Sequence, residues 1–126
     1  MARILLVDDD DAVRAILRRA LVAAGHEVEE AANGALAVAA YRRQPADLVI
    51  TDLVMPEKDG LEAIMELRRL DPTVKIIAMS GGGRALGPGQ LYLESARLFG
   101  AVEVLSKPFT ASALLTAVSD ALARAD

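Results

Sequence analysis

The chain has 126 residues, of which 53% are hydrophobic and 25% charged, with no cysteine and a formal net charge of -4. That length fits one domain around one core. The acidic balance, with arginines scattered among acids, argues against direct contact with nucleic acid, and the missing cysteines exclude disulfides, thiolate metal sites and thiol catalysis. Two tyrosines, Tyr41 and Tyr92, and two phenylalanines, Phe99 and Phe109, leave little for stacking on bases or flavin rings.

Arg3 to Val7 is a short apolar run that reads as a strand. It is too short for a signal-peptide core, and no stretch approaches about 18 apolar residues, so a soluble cytoplasmic protein with no membrane contact is expected. Asp8 to Asp11 follow directly as an unbroken acidic run. Val13, Ile16, Leu17, Ala20, Leu21 and Ala24 then recur at helical spacing until Gly25 stops the pattern. Glu27 to Ala31 is a weaker strand. Asn33 can cap a second helix, which Gln44 and Pro45 end.

Leu48 to Thr51 is a third strand, apolar on both faces, and "DLVMPEKDG" from 52 to 60 reads as a loop. Leu61 to Leu70 is predicted as a helix with 61, 64 and 65 on its apolar face. Lys75 to Met79 is a fourth buried strand, followed by the glycine-rich loop "SGGGRALGPG". Gln90 to Phe99 can form a helix that Gly100 ends, Val102 to Leu105 a fifth strand, and Thr110 to Arg124 a last amphipathic helix.

Five strands alternating with five helices, several strands being apolar on both faces, predict a doubly wound α/β domain: a parallel sheet with helices on both faces. For the flavodoxin-like order 2-1-3-4-5, ligands sit beyond the carboxyl ends of strands 1 and 3, where strand order reverses. The strand ends carry Asp8 and Asp9, Asp52, Ser80 and Lys107. Crowded carboxylates repel unless a cation or a hydrogen-bond network offsets the cost. Three of them suit a hard cation such as Mg²⁺, which takes one or two carboxylates, waters and phosphate oxygens. A carboxylate in that setting can attack phosphorus, while Lys107 and the Ser80 hydroxyl can hydrogen-bond phosphoryl oxygens.

From about residue 2 to 122 the chain resembles the receiver domain of bacterial two-component response regulators. "ILLVDD", "LVITDLVMPEKDG", "IIAMS" and "LSKPF" match that family's motifs in order and spacing. The resemblance implies a single receiver domain over 1–126, either stand-alone or excised from a larger protein. It implies that Asp52 accepts a phosphoryl group from a sensor histidine kinase or phosphotransfer protein, and that the change alters binding of a downstream protein target. Such a domain is a phosphoacceptor that assists its own phosphorylation and dephosphorylation rather than an enzyme with turnover. It further implies that Asp9, Asp52 and the Val54 carbonyl bind Mg²⁺, with Asp8 acting directly or through water, that Lys107 and Ser80 read the phosphoryl group, and that the Lys107–Pro108 bond is cis.

Taken singly, each of these residues has a structural reading. Asp10 and Asp11 read best as helix caps, and His26, after Gly25, as an exposed turn residue. The sequence departs from the family at Val104, where the family often has an aromatic switch residue, and in the long glycine-rich segment after Ser80. The segment Gly81 to Gly89 is therefore the expected carrier of the output. Two other functions share parts of the pattern. "DDDAV" from Asp9 formally satisfies the D-x-D-x-V motif of haloacid-dehalogenase-like phosphatases, and the fold also serves flavodoxin-like carriers, although a carboxylate pair after strand 1 would repel a flavin phosphate.

Overall fold

A computed structural model describes residues 2–53, 60–80, 101–106 and 109–124. Five strands, β1 (Arg3–Val7), β2 (Glu27–Ala31), β3 (Leu48–Asp52), β4 (Ile76–Ser80) and β5 (Glu103–Ser106), form one parallel sheet in the order β2-β1-β3-β4-β5. Among the described residues the helices are α1 (Asp11–Ala23), α2 (Gly34–Arg43), α3 (Gly60–Leu70) and α4 (Ala111–Ala123). The helix expected over 90–99 and the loop before it lie outside the described residues. None of the described helices is long and apolar enough to cross a membrane.

The two-residue period of the strands divides the core into two layers. Leu5, Val7, Val49, Ile76 and Ala78 pack with Ala37, Val38 and Tyr41 of α2 and Ile64 and Leu67 of α3. Ile4, Leu6, Leu48, Ile50, Ile77 and Met79 pack with Leu17 and Leu21 of α1 and Leu114, Val118 and Ala121 of α4. Helices therefore cover both faces, which is why the central strands are apolar at successive positions. Each fully buried leucine or isoleucine contributes about 1.5–3 kcal/mol relative to leaving it in water.

The helix ends follow from local chemistry. Asp10 caps α1, its carboxylate accepting from the Ala12 and Val13 amides at 3.0 and 3.1 Å. Asn33 accepts from Leu36 at 2.8 Å, and Thr110 from Ala113 at 3.0 Å. At the other end of α1, Gly25 takes φ 94°, donating to the Val22 carbonyl at 2.9 Å while His26 donates to the Leu21 carbonyl at 3.1 Å. This double closure is a Schellman motif, whose left-handed residue favours glycine. Beyond α3, the buried Tyr41 hydroxyl donates to Asp71 at 2.8 Å, tying α2 to the turn before β4. Burial pushes the Tyr41 phenol well above the ordinary tyrosine range, and the hydrogen bond and charge of Asp71 add to it.

Several sequence expectations move when the chain folds. β3 runs on through Asp52, and β4 and β5 each start and end one residue later than their apolar runs suggest. Pairing sets these ends: Asp52 lies opposite Met79, and Ser80 opposite Ser106. His26 is half-buried rather than fully exposed, its Nδ1 accepting from the Ala2 amide at 3.2 Å. Ile16, despite its helical spacing, is 66% exposed, and Met65 stands at the edge of the α3 face at 39%.

Among the described residues β2 is an edge strand, paired with β1 alone. Its glutamates are engaged by arginines from three elements: Glu27 and Glu29 by Arg3, Glu29 also by Arg43, and Glu30 by Arg14 and Arg18.

Candidate functional site

The strand order reverses between β1 and β3, and in open parallel sheets ligands bind outside the carboxyl ends of the strands at such a point. Asp8 follows β1 immediately, and Asp52 is the last residue of β3. Parallel register sets both at one rim, since Val7 pairs with Thr51. Asp9 comes from the short connection to α1 and is exposed, whereas Asp8 is fully buried and Asp52 is 6% exposed.

One carboxylate oxygen from each of Asp8, Asp9 and Asp52 lies within 4.8 Å of the others. Two of these three acids are buried, where like charges at such separations are costly without a compensating cation. An all-oxygen donor set of this kind fits a hard divalent ion better than a soft one. The residues present therefore fit Mg²⁺.

The loop bearing the first two acids is built from short local bonds. The Asp8 amide donates to the Ala31 carbonyl at 3.2 Å, and Asp8 Oδ1 accepts from the Asp10 amide at 2.9 Å. Asp10 then caps α1, so its role is the structural one expected. Asp11 opens α1 and pairs with Arg14 at 2.7 Å, its side chain 86% exposed. That placement separates Asp11 from the acidic cluster, whereas the D-x-D-x-V reading requires Asp9 and Asp11 to work side by side. On β3, the Thr51 hydroxyl donates to the Asp52 carbonyl at 3.0 Å, and the Leu53 amide donates to the Met79 carbonyl at 2.9 Å. These bonds fix the backbone on both sides of Asp52.

Ser80 ends β4 opposite Ser106 of β5, so the backbone brings the residue preceding Lys107 to the same rim as Asp52 and Asp8. Val54, Lys107 and Pro108, the last with its expected cis bond, lie outside the described residues. Val104 pairs with Ala78 and packs, partly buried, against the core layer under α2 and α3. Its small side chain is thus part of the sheet packing.

Arg14 carries no motif, yet it joins the end of β1, the first turn of α1 and β2 around the acidic loop. Its guanidinium donates to the Asp8 carbonyl at 2.7 Å, to Asp11 at 2.7 Å and to Glu30 of β2 at 2.8 Å. Burial alone would lower its pKa, but the hydrogen bonds to Glu30 and Asp11 outweigh that effect and the net shift is upward.

Comparison with known proteins agrees with this geometry. The profile of the family described as "Response regulator receiver domain" matches residues 4–119. The chemotaxis protein CheY of Thermotoga maritima is 37% identical over 118 residues, covering 93% of this chain and 94% of that protein. The sensor kinase CckA of Brucella abortus is 39% identical over 127 residues, covering 99% of this chain but 13% of that protein. Among solved structures, a response regulator receiver domain protein from Clostridium thermocellum superposes with a TM-score of 0.88 at 28% identity, covering 97% of this chain and 94% of that one. A matching profile over nearly the whole chain, a relative matched almost end to end and a shared strand order together establish that this chain belongs to the receiver-domain family of two-component response regulators.

Proposed function

We propose that the chain, acting over 1–126 as one receiver domain in the cytoplasm, is a phosphoacceptor whose phosphorylation at Asp52 alters the binding of a downstream protein. The observation that carries this reading is the convergence of Asp8, Asp9 and Asp52 within 4.8 Å at the switch point of the sheet. The donor is a sensor histidine kinase or a phosphotransfer protein, in keeping with the likeness to the receiver-bearing proteins CheY and CckA.

An Asp52 carboxylate oxygen forms a bond to phosphorus as the phosphorus–nitrogen bond of the donor's phosphohistidine breaks. The bonding pair leaves with the imidazole nitrogen, and the product is an acyl phosphate on Asp52. Asp8, Asp9, Asp52 and the Val54 carbonyl are the residues that would hold Mg²⁺. When bound, the ion supplies positive charge that offsets the repulsion between an anionic nucleophile and an anionic donor. Lys107 and Ser80 hydrogen-bond the phosphoryl oxygens, favouring the phosphorylated state and transmitting it. A separate reaction removes the group: water attacks phosphorus, the bond from phosphorus to the Asp52 oxygen breaks, and inorganic phosphate leaves the free carboxylate. It uses the same groups, so the domain assists both its own phosphorylation and its dephosphorylation.

The test is mass spectrometry of the wild type and of Asp52→Asn after treatment with a small acyl-phosphate donor, with Mg²⁺ or with excess chelator. One phosphoryl group on the wild type, dependent on Mg²⁺ and absent from Asp52→Asn, is expected. Stoichiometric labelling of Asp52→Asn, or undiminished labelling in chelator, would refute the reading.

A further inference from the structure

We infer that Arg14 is a positioning residue for the acidic site, orienting the carboxylates of Asp8 and Asp9 toward the cation without touching it. This rests on the reading of Asp8, Asp9 and Asp52 as a Mg²⁺ site. The contact that matters is the 2.7 Å bond from the guanidinium to the Asp8 carbonyl. That carbonyl belongs to the peptide plane joining Asp8 to Asp9, and a peptide unit is rigid. The α-carbons at its two ends carry two of the three clustered carboxylates. Holding one plane therefore limits the directions of both.

The peptide units on either side of this plane are held as well. The Asp8 amide is tied to Ala31 of β2 at 3.2 Å, and Asp8 Oδ1 takes the Asp10 amide at 2.9 Å. Arg14 anchors the plane itself and is in turn fixed by Glu30 at 2.8 Å and Asp11 at 2.7 Å, with its side chain 15% exposed. The guanidinium suits the task because its planar fork donates in several fixed directions at once, which an ammonium cannot reproduce. Its hydrogen bonds to carboxylates go to Glu30 and Asp11, outside the clustered triad. The arginine thus braces the loop and leaves the site oxygens to the cation.

Two consequences of removing Arg14 have opposite signs, which makes the inference testable. Loss of a nearby positive charge strengthens cation binding, whereas loss of the brace weakens it. The experiment titrates the full chain with Mg²⁺, following backbone amide NMR shifts, for wild type, Arg14→Ala, Arg14→Lys and Arg18→Ala. Arg18 also pairs with Glu30, at 3.1 Å, so its removal deletes a comparable charge and serves as the control. Arg14→Lys keeps the charge but loses the fork. Urea unfolding of each variant checks that the fold is intact.

Both Arg14 variants should lose about tenfold in Mg²⁺ affinity, the lower end of what losing an outer-shell partner costs. Their Asp9 and Asp10 amides should broaden in the metal-free protein. Arg18→Ala should bind Mg²⁺ as well as the wild type or better. Wild-type affinity in Arg14→Lys, or tighter binding in Arg14→Ala, would overturn the inference while leaving the metal site standing. A wild type that shows no response to Mg²⁺ would overturn the site and the inference together.

Discussion

Replacing Asp8 by asparagine should stabilise the metal-free protein and remove most of its response to Mg²⁺. The size of the effect follows from the cluster geometry. At the 4.8 Å limit between ligand oxygens, two unit charges repel by about 0.9 kcal/mol at the dielectric constant of water and by about 3.5 kcal/mol at an effective constant of 20. Asp8 takes part in two such pairs. The lower figure suits the pair with exposed Asp9, and an intermediate one suits the pair with nearly buried Asp52. The substitution keeps Oδ1 as the acceptor for the Asp10 amide, so the net relief should be about 2 kcal/mol. With a typical urea dependence of about 2 kcal/mol per molar, the unfolding midpoint in chelator should rise by about 1 M. The wild type should instead gain about 2.7 kcal/mol when free Mg²⁺ is about a hundredfold above its Kd, and the variant far less. Urea unfolding followed by circular dichroism, in chelator and in Mg²⁺, measures both effects. A lower midpoint for Asp8→Asn in chelator, or an equal gain from Mg²⁺ in both proteins, would refute the repulsion argument.

Tyr41→Phe should cost about 0.5–1.5 kcal/mol at neutral pH through loss of one hydrogen bond. Asp71 is held below the ordinary carboxylate range by the Thr73 hydroxyl and then by Tyr41, so its contribution is present above its unfolded pKa and fades as pH falls through its native one. The stability gap between the two proteins should therefore narrow in acid, and a gap that stays constant across the acid range would contradict the assignment. Gly25→Ala should cost about 1–2 kcal/mol because φ is 94° there, although an added Cβ would meet nothing within 4 Å. Denaturant unfolding checks this, and an alanine variant as stable as the wild type would show that the left-handed turn relaxes.

Much of this structure was legible in the chain because its cues are local. Residues 4–7 and 48–50 are apolar at every position, as a strand covered on both faces requires, and the aspartates mark the carboxyl ends, Asp8 just after β1 and Asp52 as the last residue of β3. Asp10, Asn33 and Gly25 announce their helix ends through their own backbone chemistry. The exact ends of β3, β4 and β5 were not legible, since the partner across the ladder decides them. Arg14 shows the same limit more sharply. Its spacing to Asp11 is visible as an i,i+3 helix pair, but the Asp8 carbonyl reaches it only through the path of the β1–α1 connection, and Glu30 only through the β1–β2 register, which sets Leu6 opposite Glu30. Ile16 failed for the opposite reason: helical spacing marks a stripe without saying how wide a stripe the sheet will cover.

The charged edge at β2 bears on what this sheet refuses to do. A strand paired on one side offers a row of unused backbone donors and acceptors, and a second sheet can grow onto such a row. Here any incoming strand would have to settle beside Glu27, Glu29 and Glu30 and disturb the arginines that engage them. These pairs are partly exposed, and each adds little to the stability of the monomer. Their collective effect is on association, because an intruding strand would have to displace them without replacing their partners. Charged, ion-paired edges of this kind are one of the ways natural sheets blunt edge-to-edge pairing, and the β2 edge carries that chemistry where a bare apolar edge would invite another strand.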